Sequence, residues 1–476
     1  MSDPDLIPLA RDFEAPTREA WLRLVDKTLK GEGFDSLRSR TADGLPIEPL
    51  YTEGPASPVR PAFSPDPTRP WDLRALVSHP DPAEANRQVL EALENGAASV
   101  LLETKPEALD RALEGVVLDL APVALGAGWA GPQAAERLAA LAKGGPQAPL
   151  LFHLDPLSAL ARLGASPGPV EAEVARAAEA GVRLSEPYPK ARLFLASGRV
   201  IHEAGGTEAQ ELGFGLASAA AYARALAEAA LPVADAFPRL ALGLSADAAY
   251  FTTIAKLRAA RLLWAKLTAA CGAQSPAYIE VRSSRRMLTR LDAWTNMLRL
   301  TSAGFGAGLG GADAVVIEPF TAPLGAPTPF ARRQARNLQL VLMEEAGLGR
   351  VSDPAGGAGF LETLTDGLAR AGWAFFQMIE GRGGVVAALS DGSIQDAVGE
   401  ARATRQAEFA AGAANLIGVT RFPNADRQPP ATASEVIADP IGSAGLELAS
   451  APGGGRALQP VRWAEPFEQE ETGDGR

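Results

Sequence analysis

The chain has 476 residues, 47% of them apolar and 21% charged, and carries a net charge of −12 at pH 7. Those figures allow a sizeable core, as one large domain with extensions or as two or three ordinary domains, and argue against global disorder. The acidic excess argues against nonspecific nucleic-acid binding, which needs a cationic surface, but leaves room for a local basic pocket.

A lone cysteine, Cys271, excludes an intramolecular disulfide and a thiolate metal cluster, and fits a reducing, cytoplasmic setting. The first residues, MSDPDLIPLARDFEAP, are acidic and broken by prolines, unlike a secretory or mitochondrial leader. No uncharged apolar run reaches the roughly 18 residues that would span a bilayer.

Residues 1–70 read as an arm: a short helix around Trp21 to Leu29, then a turn-rich stretch dense in proline from Pro46 to Pro70. From residue 71 a rhythm sets in. Short apolar, β-prone runs occur at 71–78, 98–104, 115–120, 149–156, 191–198, 239–246, 277–284 and 313–320. Helical patterns separate most of them, at 82–95, 106–113, 132–143, 168–181, 207–230, 249–270 and 287–309. Strands apolar on both faces, alternating with helices, predict parallel strands under a helical layer. Eight such units predict closure into a (β/α)8 TIM barrel, with a doubly wound open sheet as the alternative. Further helices follow at 331–346, 360–380 and 394–413, giving a barrel domain over 71–425. The tail, 426–476, is rich in Pro, Ala, Ser and Gly and reads as a flexible linker or wrapping arm.

In AYFTTIAKLRAARLLWAKL, Arg258 and Arg261 fall on the same helical arc as the apolar residues. A buried arginine must find carboxylates or carbonyls, so the pair either braces helix to barrel or holds a ligand phosphate.

No phosphate-binding loop and no H-E-x-x-H motif occurs, and the G-x-G-x-x-G spacing in GFGAGLGG ends a helix where a dinucleotide site would open one. Three histidines at distant positions make a poor metal set. The predicted C-terminal barrel face gathers His153, Asp155, Arg199, His202, Ser245, Asp247, Arg282, Arg285 and Glu318. Barrel enzymes place their chemistry there, and this set suits an anionic substrate with a histidine for proton work. Strand ends also carry polar residues simply because they meet water.

Several colinear stretches resemble methylmalonyl-CoA mutase. They include WLRLVDKTLKGEGFDSLRSRTADGLPIEPLYT (21–52), FLASGRVIHEAGG (194–206), AKLRAARLLWAKL (255–267), DAWTNMLRLTSAGFGAGLGGADAV (292–315) and ARNLQLVLMEEAGLGRVSDPAGGAGFLETLT (335–365). The resemblance covers roughly residues 20–425 and is carried most specifically by K-x-R-A-A-R-x-x-W-A and Q-L-x-L-x-E-E followed by D-P-x-G-G. It implies a barrel threaded by the pantetheine arm of coenzyme A, an N-terminal arm that embraces a partner, and a C-terminal adenosylcobalamin domain. It also implies a radical interconversion of succinyl-CoA and (R)-methylmalonyl-CoA.

The departures from that pattern are specific. Catalytic members carry Ser-Gly-Tyr-His-Met-Gln-Glu-Ala-Gly after strand 5. Aligned on Ser197-Gly198, this chain has Arg199 for the tyrosine and Val200 for the histidine, and His202 takes the glutamine position. In a strand-like trace His202 would share a side with Val200, about 6–7 Å further along. After strand 7 the family's Arg-Thr-His run becomes RSSRRMLTR, in which Arg282 survives as a candidate substrate contact. The cobalamin signature D-x-H-x-x-G is absent, and the tail is expected to leave no room for a cobalamin domain.

The resemblance therefore implies a small, non-catalytic subunit in a heterodimer, with adenosylcobalamin and its cobalt held by a large catalytic partner. No catalytic, cofactor or metal residue is expected here, and Arg199, Val200 and His202 mark a vestigial pocket. Two alternatives stay open. One is an acyl-CoA mutase barrel served by a separate cobalamin subunit; the other is a regulatory module that keeps an acyl-CoA.

Overall fold

The computed structural model describes residues 17–52, 54, 69–142, 145, 148–424, 428–433, 448–450 and 455–468. Eight strands form a closed barrel: β1 Asp72–Val77, β2 Ser99–Leu102, β3 Val123–Leu125, β4 Leu151–Leu154, β5 Arg192–Ser197, β6 Leu240–Ala246, β7 Ile279–Ser283 and β8 Ala314–Val316. Each strand pairs in parallel with its neighbours in chain order, and β8 closes on β1 through Ala314–Asp72 and Val315–Leu73. This is the predicted (β/α)8 architecture. No helix among the described residues is long and apolar enough to cross a membrane.

Seven of the eight apolar runs supply the strands they predict. The third does not: β3 lies at Val123–Leu125, and residues 115–120 form a turn that is mostly exposed, with Leu118 buried in the core. Leu120 and Ala121 both donate their amides to the Val117 carbonyl, and Val117 and Leu120 stay largely exposed. Local β-propensity favoured the earlier run, but Val123 to Leu125 is the segment that reaches the barrel wall and is buried.

Outward-facing side chains pack under the helices. Helix Glu208–Glu228 opens with a capping box between Thr207 and Gln210, two reciprocal bonds that satisfy its first amides. It packs along helix Gly359–Gly381, where a Cβ on Gly213 would meet the Gly372 carbonyl at 2.8 Å. Arg258 and Arg261 act as braces. Arg258 donates to Asp353, Glu362 and Thr365, and Arg261 to the carbonyls of Ala277 and Gly311 and to Asp313.

Inward-facing side chains fill the barrel axis. Leu101, Ala124, Leu151 and Val316 form a buried cluster, with Leu76 and Tyr278 packed against it. Beside them Arg74 donates to Asp72 at 2.6 Å, Ser99 at 2.8 Å, the Tyr278 hydroxyl at 3.1 Å, and Glu280. Burial works against the Arg74 charge, but Tyr278, Asp72 and Glu280 outweigh it and hold the group protonated.

Two terminal segments lie on the barrel. Helix Arg18–Leu29 buries none of its residues, whereas the stretch after it does pack. Asp43 accepts from the Ala209 amide at 3.1 Å, and Tyr51 stacks on Phe360. At the other end, residues 455–468 run across the C-terminal mouth. Leu458 donates its amide to Ala161, Val461 to Glu203 and Trp463 to Arg286, at 2.8–2.9 Å.

Candidate functional site

The strand ends and this tail segment enclose a cavity of about 200 Å³ at the barrel mouth. Its polar lining includes Glu103 after β2, His153 and Asp155 at β4, Arg199 and Glu203 after β5, and Arg282 on β7. Arg285, Glu318, Glu280, Arg162, Ser158 and Ser197 also line it, and Leu458 and Pro460 of the tail form part of its cover.

Arginine and glutamate alternate around the wall. Arg282 donates to Glu103 and Glu318, both at 2.6 Å, and Arg285 donates to the other oxygen of Glu318 at 2.5 Å. Burial alone would raise Glu318, but Arg282, Arg285 and Arg199 hold it down at about 2. Arg282 keeps its proton because the two glutamates outweigh its burial. Asp155 is pushed up to about 7 by burial, while it accepts from the Tyr222 hydroxyl at 2.6 Å and from the Ser158 amide. His153 is driven down to about 4 by burial, so it is neutral near pH 7, with Nε2 3.9 Å from Glu280.

Residues 199–203 form a helical turn, not the strand-like trace expected of them. At about 100° per residue, Arg199, Val200 and Glu203 share the cavity side, and His202 points about 200° away from Val200. His202 is fully buried behind the wall. Its Nε2 lies 2.9 Å from the Ser284 hydroxyl and its Nδ1 3.3 Å from Glu211, which is itself paired with Lys256. His202 therefore does not belong to the pocket, and the expectation that it shares a side with Val200 fails. Ser245 and Asp247 join this second network instead: Ser245 donates its amide to Glu211, and Asp247 accepts from Arg286.

Glu103, Glu203 and Glu280 were missed as site residues. Two of them left a readable signal. Glu103 follows directly on the apolar run of β2, and Glu280 sits inside β7 in phase with Arg282, so both face inward.

The methylmalonyl-CoA mutase family model matches residues 105–440. The chain belongs to the methylmalonyl-CoA mutase family. It is similar to the methylmalonyl-CoA mutase small subunit of Streptomyces virginiae, 40% identical over 89% of this chain and 73% of that protein. It is 38% identical to a probable methylmalonyl-CoA mutase small subunit of Mycobacterium bovis, over 82% of this chain and 66% of the relative. The methylmalonyl-CoA mutase small subunit of Propionibacterium freudenreichii subsp. shermanii is 32% identical, over 88% of this chain and 70% of its own. The chain thus spans between 66% and 73% of the length of these mutase relatives.

Proposed function

We propose that this chain is a non-catalytic small subunit of a heterodimeric mutase. Its large partner would hold adenosylcobalamin and interconvert (R)-methylmalonyl-CoA and succinyl-CoA. The observation that carries this reading is the filled barrel axis. A coenzyme A arm threading the barrel would have to pass where Leu101, Leu151 and Val316 pack and where Arg74 is tied to Glu280. Opening that path would strand buried charge, at a cost of about 3–5 kcal/mol for a broken buried pair.

The mouth supports the same reading. Val200 offers no hydrogen bond at the position of the family's catalytic histidine, and Arg282 is already engaged by two glutamates. The histidines also fit a corrin poorly. His153 and His202 are buried, and His79 accepts from the Asp81 amide beside an intervening proline. The chain's contribution is then support: a surface that binds the folded partner stabilises that partner by mass action.

Reconstitution tests this. The purified chain is expected to give no turnover, and the large subunit to gain activity on its addition. Turnover of methylmalonyl-CoA by this chain with added adenosylcobalamin would overturn the proposal.

A further inference from the structure

The mouth cavity holds more hydrogen-bonding capacity than the protein uses. Glu103 and Glu203 each spend one carboxylate oxygen, on Arg282 and on the Arg285 amide, and each leaves Oε2 without a partner among the described residues. His153 leaves both ring nitrogens unpartnered, and Arg199 leaves Nε. The carboxylate of Glu203 stands 3.6 Å from the Arg199 guanidinium, beyond hydrogen-bond reach. The Glu103, Glu203 and His153 side chains are only 7%, 9% and 1% exposed. Buried polar groups are normally bonded, so several orphans around one cavity call for an occupant. His153 also carries a backbone φ of +47°, a conformation that non-glycine residues adopt mainly at turns and functional sites.

The orphans are of both signs. The lining holds four arginines (Arg162, Arg199, Arg282, Arg285) and four glutamates (Glu103, Glu203, Glu280, Glu318), with Asp155 already bonded to Tyr222 and Ser158. A net anion would meet the free glutamate oxygens, and a net cation the unsatisfied guanidinium. Apart from Ser158 and Ser197, the rest of the wall is apolar, with Leu101, Leu125, Leu195, Val200 and Leu458 as its larger side chains. We propose that this cavity binds a small zwitterion of the aliphatic amino-acid class, with its carboxylate on Arg199, its ammonium on the free oxygens of Glu103 and Glu203, and its alkyl body on the leucine wall. This reaches beyond the supporting role and does not depend on it.

Calorimetry of the full chain, alone and mixed with the large subunit, tests the proposal with L-valine, 3-methylbutanoate and isobutylamine as probes. The three share one branched alkyl body. Valine is expected to bind, and each single-charge probe at least about tenfold more weakly, because each forfeits a charge-assisted contact. Arg199→Met and Glu203→Gln should each weaken valine by about tenfold or more. Val200→Phe should block valine sterically with the charges intact, and melting curves establish that each variant is folded. Equal affinity for the three probes would overturn the proposal, as would valine binding unchanged in the folded variants. So would no heat with valine and only ordered water in a crystal of the chain. None of these readouts is mutase activity, so this outcome is separate from that of reconstitution.

Discussion

Val200 and His202 are two residues apart in sequence, and the turn that carries them sends them in nearly opposite directions. One consequence concerns how His202 responds to substitution. Its ring is fully buried between Ser284 and Glu211, and Glu211 lies well below the usual carboxylate range because Lys256 and His202 outweigh its burial. His202→Ala would leave the Ser284 hydroxyl without that partner and remove the ring beside Glu211, a loss of about 1–3 kcal/mol. The expected result is a lower melting temperature, with the activity of the assembled enzyme unchanged per folded molecule. A fall in kcat without a fall in melting temperature would instead return His202 to the chemistry. The sequence placed this residue near the mouth correctly but on the wrong side. Five residues after a strand carry too little periodicity to separate an extended trace from one helical turn.

At the scale of elements, the segment 455–468 docks on residues far back in the chain, at Ala161, Glu203 and Arg286. Trp463 is largely buried, stacks near Phe409 and lies under the Arg286 guanidinium, while its amide bonds to the Arg286 carbonyl. Removing that indole should cost about 3 kcal/mol of docking. In Trp463→Ala the amides of Leu458, Val461 and Trp463 are then expected to exchange with solvent about a hundredfold faster. Barrel amides should hold their rates, and hydrogen-exchange mass spectrometry separates the two sets. Equal acceleration in strap and barrel would mean that the strap has no separate opening. The composition offered a linker or a wrapping arm here, but not what it would wrap, because the partners, Ala161, Glu203 and Arg286, lie far back in the chain. The barrel was legible for the opposite reason. Strands buried on both faces must be continuously apolar, and helices between them must be one-sided, so the alternation itself shows. It misled where an apolar run had strand propensity and no wall to join, at 115–120. The mouth was half legible: charged residues at strand ends could be picked out, but which pairs cancel depends on the closed ring.

Across the whole molecule, arm, barrel and tail meet in one buried network. Asp43 of the arm sits beside Glu208, Glu208 pairs with Arg286 at 2.8 Å, and the Arg286 carbonyl receives the Trp463 amide. Asp43 is pushed up to about 6, first by burial and then by Glu208, against bonds from Thr207 and Ala209 and the more distant charge of Lys256. Since its ordinary value is 3.8, the folded chain binds this proton more tightly than the unfolded one does. Stability from this group therefore falls as pH rises from about 4 to about 6 and is flat above, a span of about 3 kcal/mol. The arm should be held more firmly at pH 5 than at pH 8. Asp43→Asn keeps an acceptor for the Ala209 amide and places a neutral group against Glu208, so it should remove the difference. Limited proteolysis within residues 30–54, normalised to an unstructured peptide at each pH, reads this directly. Wild-type protein is expected to be cut faster at pH 8 and the variant equally at both. A wild-type arm indifferent to pH would mean that the Asp43–Glu208 contact does not govern its docking.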